Sequence, residues 1–161
     1  MSGFTAMYNK LLLLSFILIT SYGCTRDDIC SEDTPTTPLM VITFNDIANP
    51  SERKAVANLT IETQELNPTA VISNATTDSI AIPLRTTADL TNYRFISNDN
   101  SNSRNVDYLE FTYSTEAIYV NRACAFKAVF HDLAMDVQNE GTATWVLSFE
   151  IQTTDIEDET E

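Results

Sequence analysis

From Leu39 onward the chain alternates apolar and polar residues with a period near two, the spacing that puts every second side chain on one face of a β-strand. The steadiest run is the last: Trp145, Leu147, Phe149 and Ile151 fall on one side, with Val146, Ser148, Glu150 and Gln152 on the other. Asn139-Glu140-Gly141 ahead of it is a turn signal. Leu59 and Ile61 share a face within Asn58 to Glu62, and Ile80, Ile82 and Leu84 do so within Ser79 to Leu84. Tyr93 and Phe95 align within Asn92 to Ser97, and Leu109, Phe111 and Tyr113 within Asp107 to Tyr113. Shorter pieces are Val71-Ile72, Ala117 to Asn121, Cys124 to Phe130 and Leu133 to Val137. Leu39 to Phe44 is apolar on both faces, which predicts a central strand. Pro83 has no N–H for a ladder, so its strand belongs at an edge. Asn49-Pro50-Ser51 breaks the chain, and Ser51 to Lys54 fits one helical turn.

Short strands at roughly ten-residue spacing, with no long helix, predict an all-β fold: an antiparallel β-sandwich of immunoglobulin-like type. A small up-and-down β-barrel is the alternative. The predicted domain spans residues 39–152. Residues 24–38 before it read as a tether, because Thr34-Pro35-Thr36-Thr37-Pro38 favours extended backbone. Residues 153–161 are acidic enough that disorder is expected.

The first 23 residues follow another pattern. Lys10 precedes an apolar run from Leu11 to Ile19, and Gly23 stands directly before Cys24. This resembles a bacterial lipoprotein signal peptide over residues 1–23, with Cys24 as the first mature residue and the site of lipidation by acyl chains such as palmitate. The run is shorter than the roughly 20 apolar residues of a membrane span. Ser21 occupies a position where such signals usually carry an aliphatic residue, and a plain secretory signal is the alternative. Acyl chains hold a soluble domain at a bilayer through about 0.8 kcal/mol per buried CH₂. Thr25-Arg26-Asp27-Asp28 resembles the surface-export signal of Bacteroidota lipoproteins, which predicts an outer-membrane, lipid-anchored protein on the cell surface in preference to the periplasmic face.

Charge narrows the partners. The formal net charge is −14, from nine Lys and Arg against 23 Asp and Glu, and loss of residues 1–23 removes Lys10 and no acid. Such a balance argues against nucleic acid and against anionic membrane surfaces, both of which are polyanions. Of three cysteines, acylation of Cys24 leaves Cys30 and Cys124, an even pair in an oxidising compartment. A Cys30–Cys124 disulfide would tie the tether to the late part of the domain. Two free thiols or a pairing with another protein are the alternatives. Cys124 shares parity with Phe126, Ala128 and Phe130, so the bridge is expected to enter at the core face.

Catalytic chemistry is thinly supplied, and no enzyme activity and no cofactor are expected. His131 is the sole histidine, and His131-Asp132 reads as a turn cap. Zinc is disfavoured by one histidine and no C-x-x-C pair. Three glycines, Gly3, Gly23 and Gly141, leave nothing for a phosphate cradle. A weak calcium candidate remains: Asp99, Ser101, Ser103, Asn105, Asp107 and Glu110 follow the spacing of a twelve-residue calcium loop. Arg104 stands where that loop needs glycine, and no helix flanks it. Asp78-Ser79-Ile80 resembles the O-glycosylation motif of exported Bacteroidota proteins and marks Ser79 as an acceptor candidate.

Four stretches together carry a wider resemblance: Arg26-Asp27-Asp28-Ile29-Cys30, the Thr34-to-Pro38 tether, Ile82-Pro83-Leu84, and Arg122-Ala123-Cys124-Ala125-Phe126-Lys127. The mature chain resembles a family of small Bacteroidota lipoproteins of unknown function, for which no catalytic residue is recognised. The resemblance implies a small outer-membrane β-barrel protein as partner. The expectation is a non-enzymatic accessory or binding subunit of the cell envelope. The alternative is a glycan- or calcium-binding extracellular module using the 98–110 loop and exposed aromatics such as Tyr119.

Overall fold

The computed structural model describes residues 29–138 and 141–158. Its strands are β1 (Met40–Thr43), β2 (Asn45–Asp46), β3 (Asn49–Arg53), β4 (Val56–Thr63), β5 (Ala70–Thr77), β6 (Ser79–Ile82), β7 (Leu90–Ser97), β8 (Asn105–Asn121) and β9 (Ala125–Val137). A 3-10 turn follows at Gly141–Ala143. The chain divides into two compact units. The described residues of the smaller are 29–34 and Val120–Ala125; those of the larger are Pro35–Tyr119, 126–138 and 141–158.

The larger unit is built on a five-stranded sheet in the order β5-β4-β7-β8-β9, with two-stranded sheets β1-β6 and β2-β3. The pairings of β1 with β6, β4 with β5 and β7, and β7 with β8 are antiparallel. Register sets the core. Tyr93 pairs with Leu109, Thr91 with Phe111, and Phe95 with both Ile61 and Asp107, so inward positions stack across neighbouring strands. Met40, Ile80, Ile82 and Leu84 join Leu59, Ile61, Tyr93, Phe95, Phe111 and Phe130 in one buried cluster. Two sheet faces thus share one apolar layer, a sandwich-like all-β fold and not a closed barrel. Each fully buried Leu, Ile or Phe contributes about 1.5–3 kcal/mol before the entropy of ordering it is subtracted.

The predicted inward faces of Leu59 and Ile61, of Ile80, Ile82 and Leu84, of Tyr93 and Phe95, and of Leu109, Phe111 and Tyr113 are all buried. The strand ahead of Pro83 has one ladder neighbour, β1, as its missing N–H requires. Other expectations give way. The Leu39–Phe44 segment is not central, since β1 pairs only with β6. Met40, Ile42 and Phe44, which share one parity, form the side that packs in or against the core, while Val41 and Thr43 on the other side are half-buried. Ser51 to Lys54 is no helical turn. Asn45 pairs with Arg53 in a small hairpin, closed by the Asp46 carboxylate on the Lys54 ammonium at 2.7 Å.

Trp145 to Gln152 forms no strand, despite the cleanest alternation in the chain. Leu147 and Phe149 are 66% and 50% exposed. The reason lies in Asp107, whose carboxylate accepts the backbone N–H groups of Trp145 at 2.9 Å and Val146 at 2.7 Å. Donors that a ladder would use are already taken. The acidic segment after residue 152 also packs: Ile156 is buried and exchanges backbone hydrogen bonds with Phe130 at 2.7 and 3.1 Å. The Asn139-Glu140 part of the predicted turn, and residues 159–161, lie outside the described residues.

Candidate functional site

The end of the β8–β9 hairpin is formed by Asn121. Its side-chain oxygen accepts the N–H groups of Ala123 at 2.9 Å and Cys124 at 2.8 Å, a local turn that short amide side chains favour. Ala125 then takes φ +59°, a left-handed conformation that opposes a Cβ. Cys124 sits in this turn and not on the core face, and Phe126, next to the turn, is 62% exposed although Ala128 and Phe130 farther along the same strand are buried. Cys124 is disulfide-bonded to Cys30, with Cα atoms 5.1 Å apart and a sequence separation of 94. Next to Cys30, Ser31 and Thr34 share a hydroxyl–hydroxyl bond at 2.9 Å, and the Thr34 N–H donates to the Ser31 carbonyl at 3.1 Å. The tether thus begins in a bridged turn.

Within the larger unit, Tyr119 and Phe126 face one another edge to face with ring centroids 5.4 Å apart, and Tyr119 is 59% exposed. Aromatic pairs of this geometry hold one another at about 0.5–1.5 kcal/mol beyond their buried area. Sequence reasoning singled out Tyr119 as exposed but placed Phe126 on the core face. Phe126 stands beside the hairpin turn, beyond the point where Ala128 and Phe130 meet the core, and alternation alone does not show where along a strand the covering layer ends.

His131 does not cap a turn. It lies inside β9, one residue before the left-handed Asp132. Its Nδ1 is 3.0 Å from the Asp155 carboxylate and its Nε2 is 3.2 Å from that of Glu116. Two carboxylates on two ring nitrogens need two N–H donors, which only the imidazolium supplies. The hydrogen bond to Asp155, with that to Glu116, accordingly raises the His131 pKa above 6.5, against a smaller lowering by desolvation. Lys127 continues the clasp, its ammonium donating to the Glu157 carbonyl at 3.0 Å. Engaged on both nitrogens, His131 ties β9 to Glu116 on β8 and to Asp155 in the C-terminal segment.

The calcium arrangement is not assembled. Asp99 accepts the Arg104 guanidinium at 2.9 Å, which holds its carboxyl below the ordinary value, and the Ser101 and Ser103 hydroxyls bond each other at 2.8 Å. Asn105 donates to the Ala143 carbonyl at 2.5 Å. Asp107 points the other way, fully buried on the face of Phe95. Glu110 pairs across the ladder with Asn92. Among the described residues no group of three or more His, Cys, Asp or Glu is placed to hold a metal ion. The signal for Asp107 was in the sequence: it shares parity with Leu109, Phe111 and Tyr113.

Ser79 opens β6 opposite Thr43, half-buried, with its N–H and carbonyl both engaged by the Thr77 hydroxyl. Cys24, the lipidation candidate, and Arg26, Asp27 and Asp28 lie outside the described residues. A cavity of 110 Å³ opens beside Asn92, bordered by the ion pair of Arg85 and Glu65. Ligand sites for drug-sized molecules occupy about 300–1,000 Å³, so this one suits water or a small ion.

Comparison with known proteins places the chain in a family without assigning it a role. No curated protein and no solved structure is significantly similar to it. Residues 58–161, which run from β4 onward, match a family of unknown function (DUF6452). That match covers more than half of the sequence, and the chain belongs to this family.

Proposed function

We propose that this protein is a lipid-anchored, non-enzymatic lipoprotein of the outer membrane, an accessory or binding subunit displayed on the cell surface with an outer-membrane β-barrel as partner. The observation that carries the reading is the Cys30–Cys124 disulfide, which fastens the chain six residues after Cys24 to the β8–β9 turn. A covalent brace directly behind an anchoring cysteine suits a domain that must be held in place in an oxidising compartment. The exposed Tyr119–Phe126 pair adds a surface on which an envelope component can dock. A calcium module draws less support, because Asp99 and Asp107 spend their carboxylates on Arg104 and on the Trp145 and Val146 N–H groups.

Mass spectrometry of the native product tests the anchor: acyl mass on Cys24 is expected, and an unmodified, freely soluble chain sinks the reading. Protease shaving of intact cells reads the face of the membrane. Crosslinked pull-down tests the barrel partner, and recovery of the monomer alone counts against it.

A further inference from the structure

The bridge has a geometric consequence for any anchored form of the chain. Six residues from Cys24 to Cys30 reach at most about 21 Å. Crossing the 5.1 Å bridge and two further residues, Phe126 lies within about 33 Å of the anchor by this covalent path. Without the bridge the path from Cys24 runs through the whole domain. The bridge therefore shortens the covalent path from the anchor to the hairpin end from about a hundred residues to fewer than ten.

Its surface chemistry differs from the rest. Residues 117–131 contain no acid, in a chain with 23 of them, and they carry Arg122 and Lys127. Tyr119 and Phe126 stand exposed there as an edge-to-face pair. Amphipathic aromatic rings settle at the level of lipid headgroups. The acids that approach this stretch each face a cationic partner, Asp158 at Lys127 and Asp155 and Glu116 at His131, which limits the repulsion that the overall charge would impose.

Resting on the lipid anchor proposed above, we infer that Tyr119 and Phe126 form a second, non-covalent contact with the bilayer, seated in the headgroup zone of a zwitterionic membrane. The anchor recruits the domain and the aromatic pair orients it. Two weak attachments near one another act together, since the first makes the second intramolecular.

The test uses the full chain purified from membranes and reconstituted in vesicles of phosphatidylcholine and phosphatidylethanolamine, with bromine on the upper acyl carbons as quencher. Tyr119→Trp is compared with the parent, whose Trp145 supplies the background, and with Leu66→Trp at a fully exposed position in the β4–β5 turn. The emission added by Tyr119→Trp is expected to lose about half of its intensity, as for interfacial aromatics, and Phe126→Ser is expected to restore it. Leu66→Trp is expected to be unaffected. Unquenched Tyr119→Trp emission, or equal quenching of both tryptophans, overturns the contact. Mass spectrometry of Cys24 in the same samples separates the two readings: acylated but unquenched protein defeats the aromatic contact alone, and protein without acyl chains defeats the anchor and with it the contact.

Discussion

The Asp107 carboxylate accepts the backbone N–H of Trp145 at 2.9 Å, and the Trp145 indole in turn donates to the carbonyl of Phe95, the ladder partner of Asp107, at 3.3 Å. One buried acid thereby fixes the backbone at Trp145 and Val146, the first of them 38 residues later in the chain. Burial pushes the Asp107 carboxyl above its ordinary value, and the Val146 and Trp145 N–H groups oppose that shift.

Asp107→Ala leaves two backbone N–H groups without an acceptor and is expected to destabilise the domain by about 2–3 kcal/mol; Asp107→Asn retains a carbonyl acceptor and costs about 1 kcal/mol. Urea unfolding of both variants checks the order. The folded chain holds this proton more tightly than the unfolded chain. The Asp107 contribution therefore declines as pH rises from 3.8 through its folded value, a slope that Asp107→Asn removes.

His131 sets a second window. Its pKa is raised above 6.5 by Asp155 and Glu116, so the clasp contributes fully below pH 6.5 and is lost as pH rises through the folded value. The difference in Tm between the parent and His131→Gln is expected to shrink across that rise. A difference that stays constant from pH 5.5 to 9, a range chosen to span the histidine titration, removes His131 as its source.

Ile156 is 6% exposed and joins the core beside Phe130. Ile156→Ala is expected to cost about 2–4 kcal/mol, the usual range for emptying a buried aliphatic site. Hydrogen exchange gives a sharper readout: the Phe130 N–H, which donates to the Ile156 carbonyl, is expected to lose protection first.

Reduction of Cys30–Cys124 opens a loop with a sequence separation of 94. The chain-entropy relation sets its contribution at no more than about 4–5 kcal/mol. Ala125→Gly works in the opposite sense, relieving the left-handed φ of +59°, and is expected to stabilise the chain by about 0.5–1 kcal/mol. Thermal unfolding of the reduced chain and of the glycine variant reads both.

What the sequence discloses follows from where the decisive contact lies. Tyr93, Phe95, Leu109 and Phe111 are each buried by the alternation of their own strand, and their burial was legible residue by residue. Trp145 to Ile151 alternates just as cleanly but answers to Asp107 on another strand. Ile156 looked like one apolar residue in an acidic tail, and its partner Phe130 is 26 positions earlier. The Tyr119–Phe126 surface depends on where along β9 the covering layer ends, since Phe126 shares parity with the buried Ala128 and Phe130, and alternation does not announce that limit. Strand identity was thus local information. The clasp, the buried acid and the aromatic pair were products of long-range closure.

The segment around Ile156 has a further effect. With the Leu133 N–H donating to Thr154 at 2.9 Å and the Phe130 and Ile156 backbones bonded to each other, the middle of β9 is already engaged by the chain's own tail. At the opposite end of the sheet, β5 meets β4 with repeated register shifts and a left-handed Asn74. Neither margin offers a straight template to an incoming strand. The molecule is thereby guarded against polymerising through its own backbone.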